Sequence, residues 1–305
     1  MTAKTKIVLI YIFLPFLLQA STFNIKQIQE NFYNKVVLEP LYFKTYKTTL
    51  DDTCKNNRCY SFELSMLVNN PSVEKSIKQR YNKFSLDEKY WNQAEKYLWT
   101  KRKKFTHSQF VTLVDLSKQV LIIALWDNDK NTFYKIGYDF ISSGNIDKEL
   151  EVTTGKDHFL KTPTGFFSIK SGWRADGKIF DDNVTMPYGN KDTFVFYFGT
   201  QKSVRYNTFD ANGTKIKDPS KWPLITDELE FAMHAHKSTA PFGQAHSHGC
   251  IRMTNELNLF LDNNLVFFKH LFNEKKEWTH PYKKGPIEPE NHELAGEYML
   301  IIDKL

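Results

Sequence analysis

Short apolar runs separated by polar turns dominate the sequence from about residue 110 onward. They are rich in β-branched and aromatic residues and stand at Phe110–Val114, Val120–Trp126, Thr132–Ser142, Phe166–Ser171, Thr193–Gly199, Leu229–His236 and Glu297–Asp303. Regularly spaced runs of this composition, with turn residues between them, are typical of β-strands. The pattern therefore predicts a mainly β domain in the later two thirds of the chain.

Helical spacing is found in the stretch before this domain. Asn70-Pro71 suits an N-cap followed by proline at the first helical position, and Ser85-Leu-Asp-Glu88 has the form of a capping box. One apolar face is then formed by Leu86, Tyr90, Trp91, Ala94, Tyr97 and Leu98. This face predicts a helix packed on the β domain or on another helix. Between Ser21 and Leu67 the pattern is poorly periodic, and no function is assigned to it.

The other face of the predicted helices is basic. Residues 74–104 contain ten Lys or Arg against four Asp or Glu, an excess equal to the formal net charge of +6 of the whole chain. Such a face either attracts polyanions, for example wall polymers or a membrane surface, or is simply solvated. The second interpretation is favoured, since no nucleic-acid-binding pattern accompanies the charge, and no nucleic acid partner is expected.

The first twenty residues have the form of an export signal. Lys4 and Lys6 precede an uncharged, mostly apolar run from Ile7 to Leu18, which Gln19-Ala20 follows. Such a run gives about 18 Å of helix, too short for a bilayer core of about 30 Å. We therefore expect a signal peptide cut after Ala20, a mature protein in the periplasm or cell envelope, and membrane contact only before cleavage. An uncleaved anchor is the alternative.

A composition of 41% hydrophobic and 15% aromatic residues is ordinary for a globular protein, which excludes disorder of the whole chain.

Export changes the interpretation of the three cysteines. In an oxidising compartment Cys54 and Cys59, which enclose four polar residues, are expected to form a disulfide, although two inert thiols are the alternative. Cys250 is then the odd cysteine and a candidate reactive thiol.

Candidate chemistry is concentrated around that thiol. The stretch from His234 to Cys250 contains four of the nine histidines, including His236, His246 and His248. A thiol is an effective nucleophile only as the thiolate, so an imidazole brought to it by the fold is the expected base.

The string Ser247-His248-Gly249-Cys250-Ile251-Arg252-Met253 resembles the active-site signature of the L,D-transpeptidases, the YkuD-type peptidoglycan enzymes. The resemblance extends over about residues 106–304 and includes His234, Gly243, the Val114–Gln119 hairpin and the Thr162-Pro163-Thr164-Gly165 turn. It implies a mainly β catalytic domain, a YkuD-like β-sandwich with a packed helix, preceded by a smaller, mostly α-helical region. The implied division is a signal peptide at 1–20, a helical region at 21–105 and a catalytic domain at 106–305.

The resemblance also implies roles for individual residues. Cys250 is the nucleophile, His234 is the base, and the Ala235 backbone carbonyl orients that base. Oxyanion donors are expected among the backbone N–H groups around His248 and Gly249. Side chains with positioning roles are Ser247 and His248, which shape the loop, Arg252, which holds a substrate carboxylate or braces the loop, and Met186 and Tyr188, which line the substrate site or simply pack.

Two further features flank the stretch from His234 to Cys250. The polar segment of residues 200–227, with turns at Asp210–Gly213 and Asp218-Pro219, is expected to be an inserted loop that acts as a lid or rim over the cleft. After Cys250, Thr254 is predicted to cap a short helix whose inward face carries Leu257, Phe260 and Leu261.

The implied reaction is acyl transfer from a peptidoglycan tetrapeptide stem to Cys250 with release of D-alanine. The acceptor is the amine of a neighbouring stem, a lysine of a protein that becomes anchored to the wall, or water, in which case the enzyme is an L,D-carboxypeptidase. No cofactor is expected, and the motif does not decide among these acceptors.

A zinc site is the main alternative. Strand alternation places His234 with His236, and His246 with His248 and Cys250, on common faces that suit a metal ion. Against it, no His-Glu-x-x-His string is present, and residues 231–254 contain no Asp or Glu. A wall-binding protein without catalytic activity is a third hypothesis, which the intact signature disfavours.

Overall fold

The computed structural model describes residues 23–147, 159–180, 184–237, 242–271 and 292–305. The expected signal peptide at 1–20 lies outside these residues. Among the described residues, no helix combines the length and apolar character needed to cross a membrane. The helical region consists of α1 (Ile25–Phe32), a π-helical turn (Tyr33–Leu38), α2 (Glu39–Tyr46), α3 (Leu50–Thr53), α4 (Asn57–Val68), α5 (Pro71–Tyr81) and α6 (Glu88–Trp99).

The starts of α5 and α6 test the predicted caps. Asn70 caps α5 as predicted, with its side chain accepting from the Ser72 N–H at 3.0 Å. The cap predicted at Ser85 is wrong, because Asp87 caps α6 by accepting from the Tyr90 N–H at 2.8 Å. Phe84 and Leu86 explain the shift. Both are buried and lie in an extended segment, so the helix begins only after them.

Helix α6 packs on the β domain, as its apolar face predicts. Trp91, Ala94 and Leu98 are buried in one cluster with alternate residues of the first two strands. Tyr97, which was predicted to share this face, is instead 43% exposed. The helix therefore covers one face of a sheet and fixes the helical region to it.

That sheet has five strands in the order β3-β2-β1-β9-β4. Its strands are β1 (Gln109–Asp115), β2 (Val120–Asp127), β3 (Thr132–Phe140), β4 (Gly165–Ser168) and β9 (Tyr298–Ile302). Every residue of β1 and β2 is buried, since α6 covers one face and the second sheet covers the other. The predicted closing strand is confirmed as β9, which pairs parallel to β1.

The second sheet has four strands in the order β5-β6-β7-β8. They are β5 (Ser171–Arg174), β6 (Phe194–Tyr206), β7 (Leu224–Ala235) and β8 (Ile251–Met253). The single strand predicted at 166–171 is wrong, because this run is divided between β4 and β5 in different sheets. The chain thus passes from one sheet to the other between β4 and β5 and connects the two layers of the sandwich.

The polar segment of residues 200–227 is also a correction. Both of its ends are strand, because β6 continues to Tyr206 and β7 begins at Leu224, with pairs from Thr200↔Glu230 to Tyr206↔Leu224. Polar residues alternate there with partly buried ones, and Arg205 forms an ion pair with Asp227 at 2.9 Å. Only residues 207–223 form a loop, at the tip of a long hairpin.

Helix α7 (Asn255–Asn263) follows β8 directly. Thr254 caps it as predicted by accepting from the Leu257 N–H at 3.2 Å, and the predicted inward residues are buried: Leu257, Phe260 and Leu261. Phe260 meets Phe32 of α1 edge to face, with ring centroids 5.1 Å apart. The expected architecture is confirmed: a mainly β sandwich with a packed helix, preceded by a mostly helical region.

Candidate active site

Strands β7 and β8 bring the predicted thiol and imidazole to one edge of the four-stranded sheet. They pair in parallel, with His234 opposite Arg252, and Cys250 is the residue immediately before β8. Cys250 is the free cysteine and is half-buried, whereas Cys54 and Cys59 are joined by a disulfide in the helical region. The sheet thus holds the predicted base, and the loop before β8 holds the predicted nucleophile.

His234 is fixed in orientation and tautomer. Its Nδ1 lies 2.8 Å from the Ala235 carbonyl oxygen, so Nδ1 carries the proton and Nε2 keeps its lone pair. Burial is the main cause that lowers the pKa of His234, the bond to Ala235 opposes it, and the charges of Arg252 and His236 add to it, which together bring the pKa to about 3. The imidazole is therefore neutral at neutral pH.

The thiol is neutral as well. Burial raises the pKa of Cys250, although a hydrogen bond from the Ala232 backbone and the charge of Arg252 act in the opposite direction. The two groups are therefore a thiol and a neutral imidazole at neutral pH rather than an ion pair.

An aromatic wall flanks the base. Tyr188 meets the His234 ring edge to face at 5.0 Å, and Trp173 follows Tyr188 at 6.1 Å; both are more than 40% exposed. Burial raises the pKa of Tyr188, and the neighbouring Cys250 raises it further. Together these rings form an exposed surface beside the reacting atoms.

The Met186–Tyr188 segment is tied to the end of β7. The backbone of Met186 exchanges two hydrogen bonds with Lys237, at 2.9 and 3.1 Å. Gly189 makes this approach possible: its φ is +79°, and a Cβ there would lie 2.4 Å from the Cβ of Ala235. The exposed Tyr188 thus lies beside His234, and the half-buried Met186 is not part of the buried core.

The loop before Cys250 is braced from within. Ser247 accepts the Gly249 N–H at 3.1 Å and donates to the Cys250 carbonyl. The Gly249 N–H, expected as an oxyanion donor, is therefore already engaged, and that expectation is corrected. The Cys250 N–H takes part in no hydrogen bond among the described residues.

Thr162 is a contributor that the sequence analysis did not single out. Its hydroxyl donates to the Gly249 carbonyl at 2.6 Å and accepts from the Gly144 N–H at 2.8 Å. It is the first residue of the Thr-Pro-Thr-Gly turn, which was taken only as part of a resemblance. Its position just before β4 in the sequence gave no sign that it contacts the loop before Cys250, residues 247–249, here called the nucleophile loop.

Arg252 is half-buried beside the thiol. One nitrogen lies 3.3 Å from His248 Nδ1, and another donates to the His246 carbonyl at 3.4 Å. Within the described ranges no carboxylate lies within ion-pair distance of Arg252, whereas Arg174 pairs with Asp262 and Arg205 with Asp227. This guanidinium is thus available to a carboxylate from outside.

His248 and His236 lie in different environments. His248 is exposed and stacks on Phe159 at 4.3 Å, so it lies on the rim rather than at the reacting atoms. Nδ1 of His236 lies 3.1 Å from the Pro187 carbonyl oxygen, and burial, followed by the charge of Arg252, lowers the pKa of His236 to about 4. Among the described residues, no group of three or more His, Cys, Asp or Glu is placed to hold a metal ion.

Comparison with solved structures gives distant similarities. The chain is similar to Bd1075 of Bdellovibrio bacteriovorus (17% identity, TM-score 0.32, 65% of this chain and 49% of that one) and to the helical cell shape determining protein Pgp2 of Campylobacter jejuni (15%, 0.32, 69% and 56%). It is also similar to an L,D-transpeptidase of Mycobacterium smegmatis (12%, 0.25, 64% and 59%). The chain spans about half the length of these structures, and their low TM-scores carry no argument about its function.

Comparison with curated proteins finds no match. The family model of the L,D-transpeptidase catalytic domain, YkuD, matches residues 109–265, slightly more than half of the chain. This range contains β1 to β8, α7 and all the residues of the nucleophile loop. The resemblance seen in the sequence is confirmed: the chain belongs to the YkuD family of L,D-transpeptidase catalytic domains.

Proposed function

We propose that this protein is an exported L,D-transpeptidase in which Cys250 forms an acyl-enzyme with peptidoglycan tetrapeptide stems. The observation that carries the proposal is the orientation of His234. Its Nδ1 is held by the Ala235 carbonyl, which leaves Nε2 as an acceptor on the β7 edge that faces the nucleophile loop. We assign residues 106–305 to the catalytic unit, residues 21–105 to a helical region and residues 1–20 to the signal.

The first half-reaction follows from the neutral pair. As Cys250 Sγ attacks the carbonyl carbon of the third stem residue, His234 Nε2 takes the thiol proton. The amide carbon–nitrogen bond then breaks, the proton passes from Nε2 to the departing amine, and D-alanine leaves. The product is a thioester on Cys250.

The oxyanion requires a donor, and the Cys250 N–H supplies it. Gly249 cannot, since its N–H is bound by Ser247. A single donor of this kind contributes about 2.7–4 kcal/mol to transition-state stabilisation. Ser247, Thr162 and the backbone of Gly249 keep the Cys250 N–H in place.

Arg252 binds the carboxylate of the stem. It is half-buried, carries no described carboxylate partner and lies two residues from the nucleophile, so a substrate carboxylate is a better partner than water. Met186, Tyr188 and Trp173 line the opposite wall and contact the apolar parts of the stem.

In the second half-reaction an amine attacks the thioester carbonyl and gives its proton to His234 Nε2. The carbon–sulfur bond then breaks, and His234 returns the proton to Sγ, which restores the thiol. We assign the amine of a neighbouring stem as the main acceptor, with a protein lysine as a variant and water as the competing acceptor of a carboxypeptidase. The β6–β7 hairpin supports this assignment. The Lys161 N–H donates to the Val204 carbonyl near the loop end of β6, and the Leu160 N–H donates to the His248 carbonyl. Residues 160–161 thus connect the loop end of the hairpin to the nucleophile loop, and we expect the hairpin to shield the thioester from water.

Purified disaccharide-tetrapeptide, with products separated by mass, tests the proposal. Wild type is expected to give dimers cross-linked through third residues and free D-alanine, whereas Cys250→Ala gives neither. Tripeptide alone would make the protein a carboxypeptidase. Activity that is lost on exhaustive chelation and restored by zinc would instead support the metal alternative.

A further inference from the structure

Two adjoining cavities that include no residue of the thiol site lie between the helical region and α7. They have volumes of about 940 and 550 Å³, and three residues line both: Asn31, Lys35 and Asp51. The larger runs along α1 and the start of α4, and the smaller runs along α2 and α7. They therefore form one continuous groove, here called the amide groove.

Eight side-chain amides line the groove. Five of them make no side-chain hydrogen bond to any described residue: Gln27, Asn31, Asn34, Asn57 and Asn263. Each primary amide offers two donors and an acceptor with two lone pairs, which matches hydroxyl and N-acetyl groups. Such a lining favours a polar ligand with many donors and acceptors.

The charges of the groove disfavour a polyanion. Lys35 and Lys55 are outnumbered by five carboxylates of the lining: Glu30, Glu39, Asp51, Glu256 and Glu293. Apolar ring faces are also present, since Tyr60 lines the larger cavity and Phe43, which is 53% exposed, lines the smaller one. Rings among amides suit the alternating apolar and polar faces of a sugar.

An independent feature marks the same place. The chain between α1 and α2 forms a π-helical turn, Tyr33–Leu38, which carries Asn34 and Lys35 of the groove. Turns of this kind are rare and are found frequently at functional sites. Here the wider turn lies along the groove wall.

The groove reaches the helix that follows Cys250 in the chain. Helix α7 begins five residues after Cys250, and its side from Glu256 to Asn263 lines the smaller cavity.

We infer that the amide groove binds the glycan strand of the substrate, an oligosaccharide of N-acetylated hexosamines. The inference rests on the proposed function, because it assigns to the same enzyme a second subsite for the same polymer. The glycan in the groove holds the stem so that its terminal amide reaches Cys250. The helical region, to which the sequence analysis assigns no function, thereby takes part in substrate selection.

Binding is tested without turnover, with the tetramer of N-acetylglucosamine titrated into full-length Cys250→Ala protein by calorimetry. Saturable binding is expected. It should weaken about five- to tenfold on adding Asn31→Ala or Phe43→Ala, while Asn92→Ala on the exposed face of α6, which lines neither cavity, leaves it unchanged. No binding, or equal binding by Asn31→Ala, overturns the inference. Asn31→Asp, which keeps the shape and removes the donor, repeats the test if Asn31→Ala fails to fold.

Turnover separates this inference from the proposed function. With the otherwise active enzyme, Asn31→Ala is expected to lower kcat/KM about fivefold for glycan-linked stems and to leave the free tetrapeptide unchanged. An equal loss on both substrates overturns the groove as a glycan site. If wild type processes neither substrate while the saccharide still binds, the proposed reaction fails and the binding site stands.

Discussion

Two buried acids of the five-stranded sheet and the groups at the β7–β8 edge of the four-stranded sheet differ in their partners. In the five-stranded sheet, buried Asp115 accepts from the Ser117 N–H at 2.7 Å and from the Tyr90 hydroxyl, and buried Asp139 pairs with Arg80 at 2.6 Å. At the β7–β8 edge, Cys250 and Arg252 have no described carboxylate beside them. Buried polar groups are normally satisfied internally, so the unsatisfied ones mark where a ligand completes the structure.

Loss of the base should have the largest effect. His234→Gln removes the acceptor nitrogen, and kcat is expected to fall about 10²–10⁴-fold, because general base catalysis contributes in that range. His236→Gln is the matched control, since His236 hydrogen-bonds to Pro187 and is not assigned to proton transfer. Steady-state rates on disaccharide-tetrapeptide measure both. Equal losses in the two variants would remove His234 from the mechanism.

Two arginines sharpen the comparison. Arg174→Gln leaves Asp262, which is 12% exposed, without its partner and should lower stability by about 3 kcal/mol with little change in kcat per folded molecule. Arg252→Gln should do the opposite, raising KM about tenfold with little change in stability. Thermal unfolding and rates on both variants decide. A large loss of stability in Arg252→Gln would make this residue a brace of the loop rather than a carboxylate site.

The pH profile tests the neutral pair. Because burial keeps the pKa of His234 near 3, the imidazole stays unprotonated well below pH 6.5, and kcat/KM should change less than threefold between pH 7 and 5.5. An ordinary imidazole would lose about tenfold over that interval. The free energy of unfolding should also fall with pH. Below about pH 6.5 His234 takes a proton in the unfolded chain but not in the folded one, so its contribution to stability is present above that pH and is lost as pH falls toward 3. An acid limb near pH 6.5 in kcat/KM contradicts the assignment.

The hairpin tip should give the smallest effect. Residues 208–216 form a small hairpin of their own, with Phe209 opposite Lys215. Deleting this tip keeps the paired parts of β6 and β7, so stability should change little. If the tip shields the thioester, the ratio of hydrolysed to transferred product rises about twofold, as mass spectrometry of products can measure. An unchanged ratio means that the tip is remote from the cleft.

Sequence reasoning succeeded where a local signal decides the outcome. Alternating apolar runs predicted the strands, Thr254 and Asn70 were recognised as caps, and one short string located Cys250 in the fold. It failed where tertiary contacts decide. The start of α6 moved to Asp87 because Phe84 and Leu86 are buried first, and the polar ends of the β6–β7 hairpin are held by pairing between strands.

The nucleophile loop shows the same limit. The string identifies Gly249 and Ser247, but it cannot say that one binds the other, which removes the Gly249 N–H from oxyanion binding. Thr162 lies 88 residues from Cys250 in the sequence, so its contact with the loop depends on the closed sandwich. The amide groove could not be predicted either, because its residues come from α7 and from helices whose sequence has no clear helical periodicity.

Intact-mass measurement of the acyl-enzyme tests the central claim most directly. The mature protein, incubated with a carbapenem and separately with tetrapeptide stems, is expected to gain one covalent adduct that peptide mapping places on Cys250. Cys250→Ala should gain none, while Cys54 and Cys59 stay joined in both proteins. Absence of an adduct on wild type under both conditions, or an equal adduct on Cys250→Ala, would contradict the assignment of Cys250 as the nucleophile.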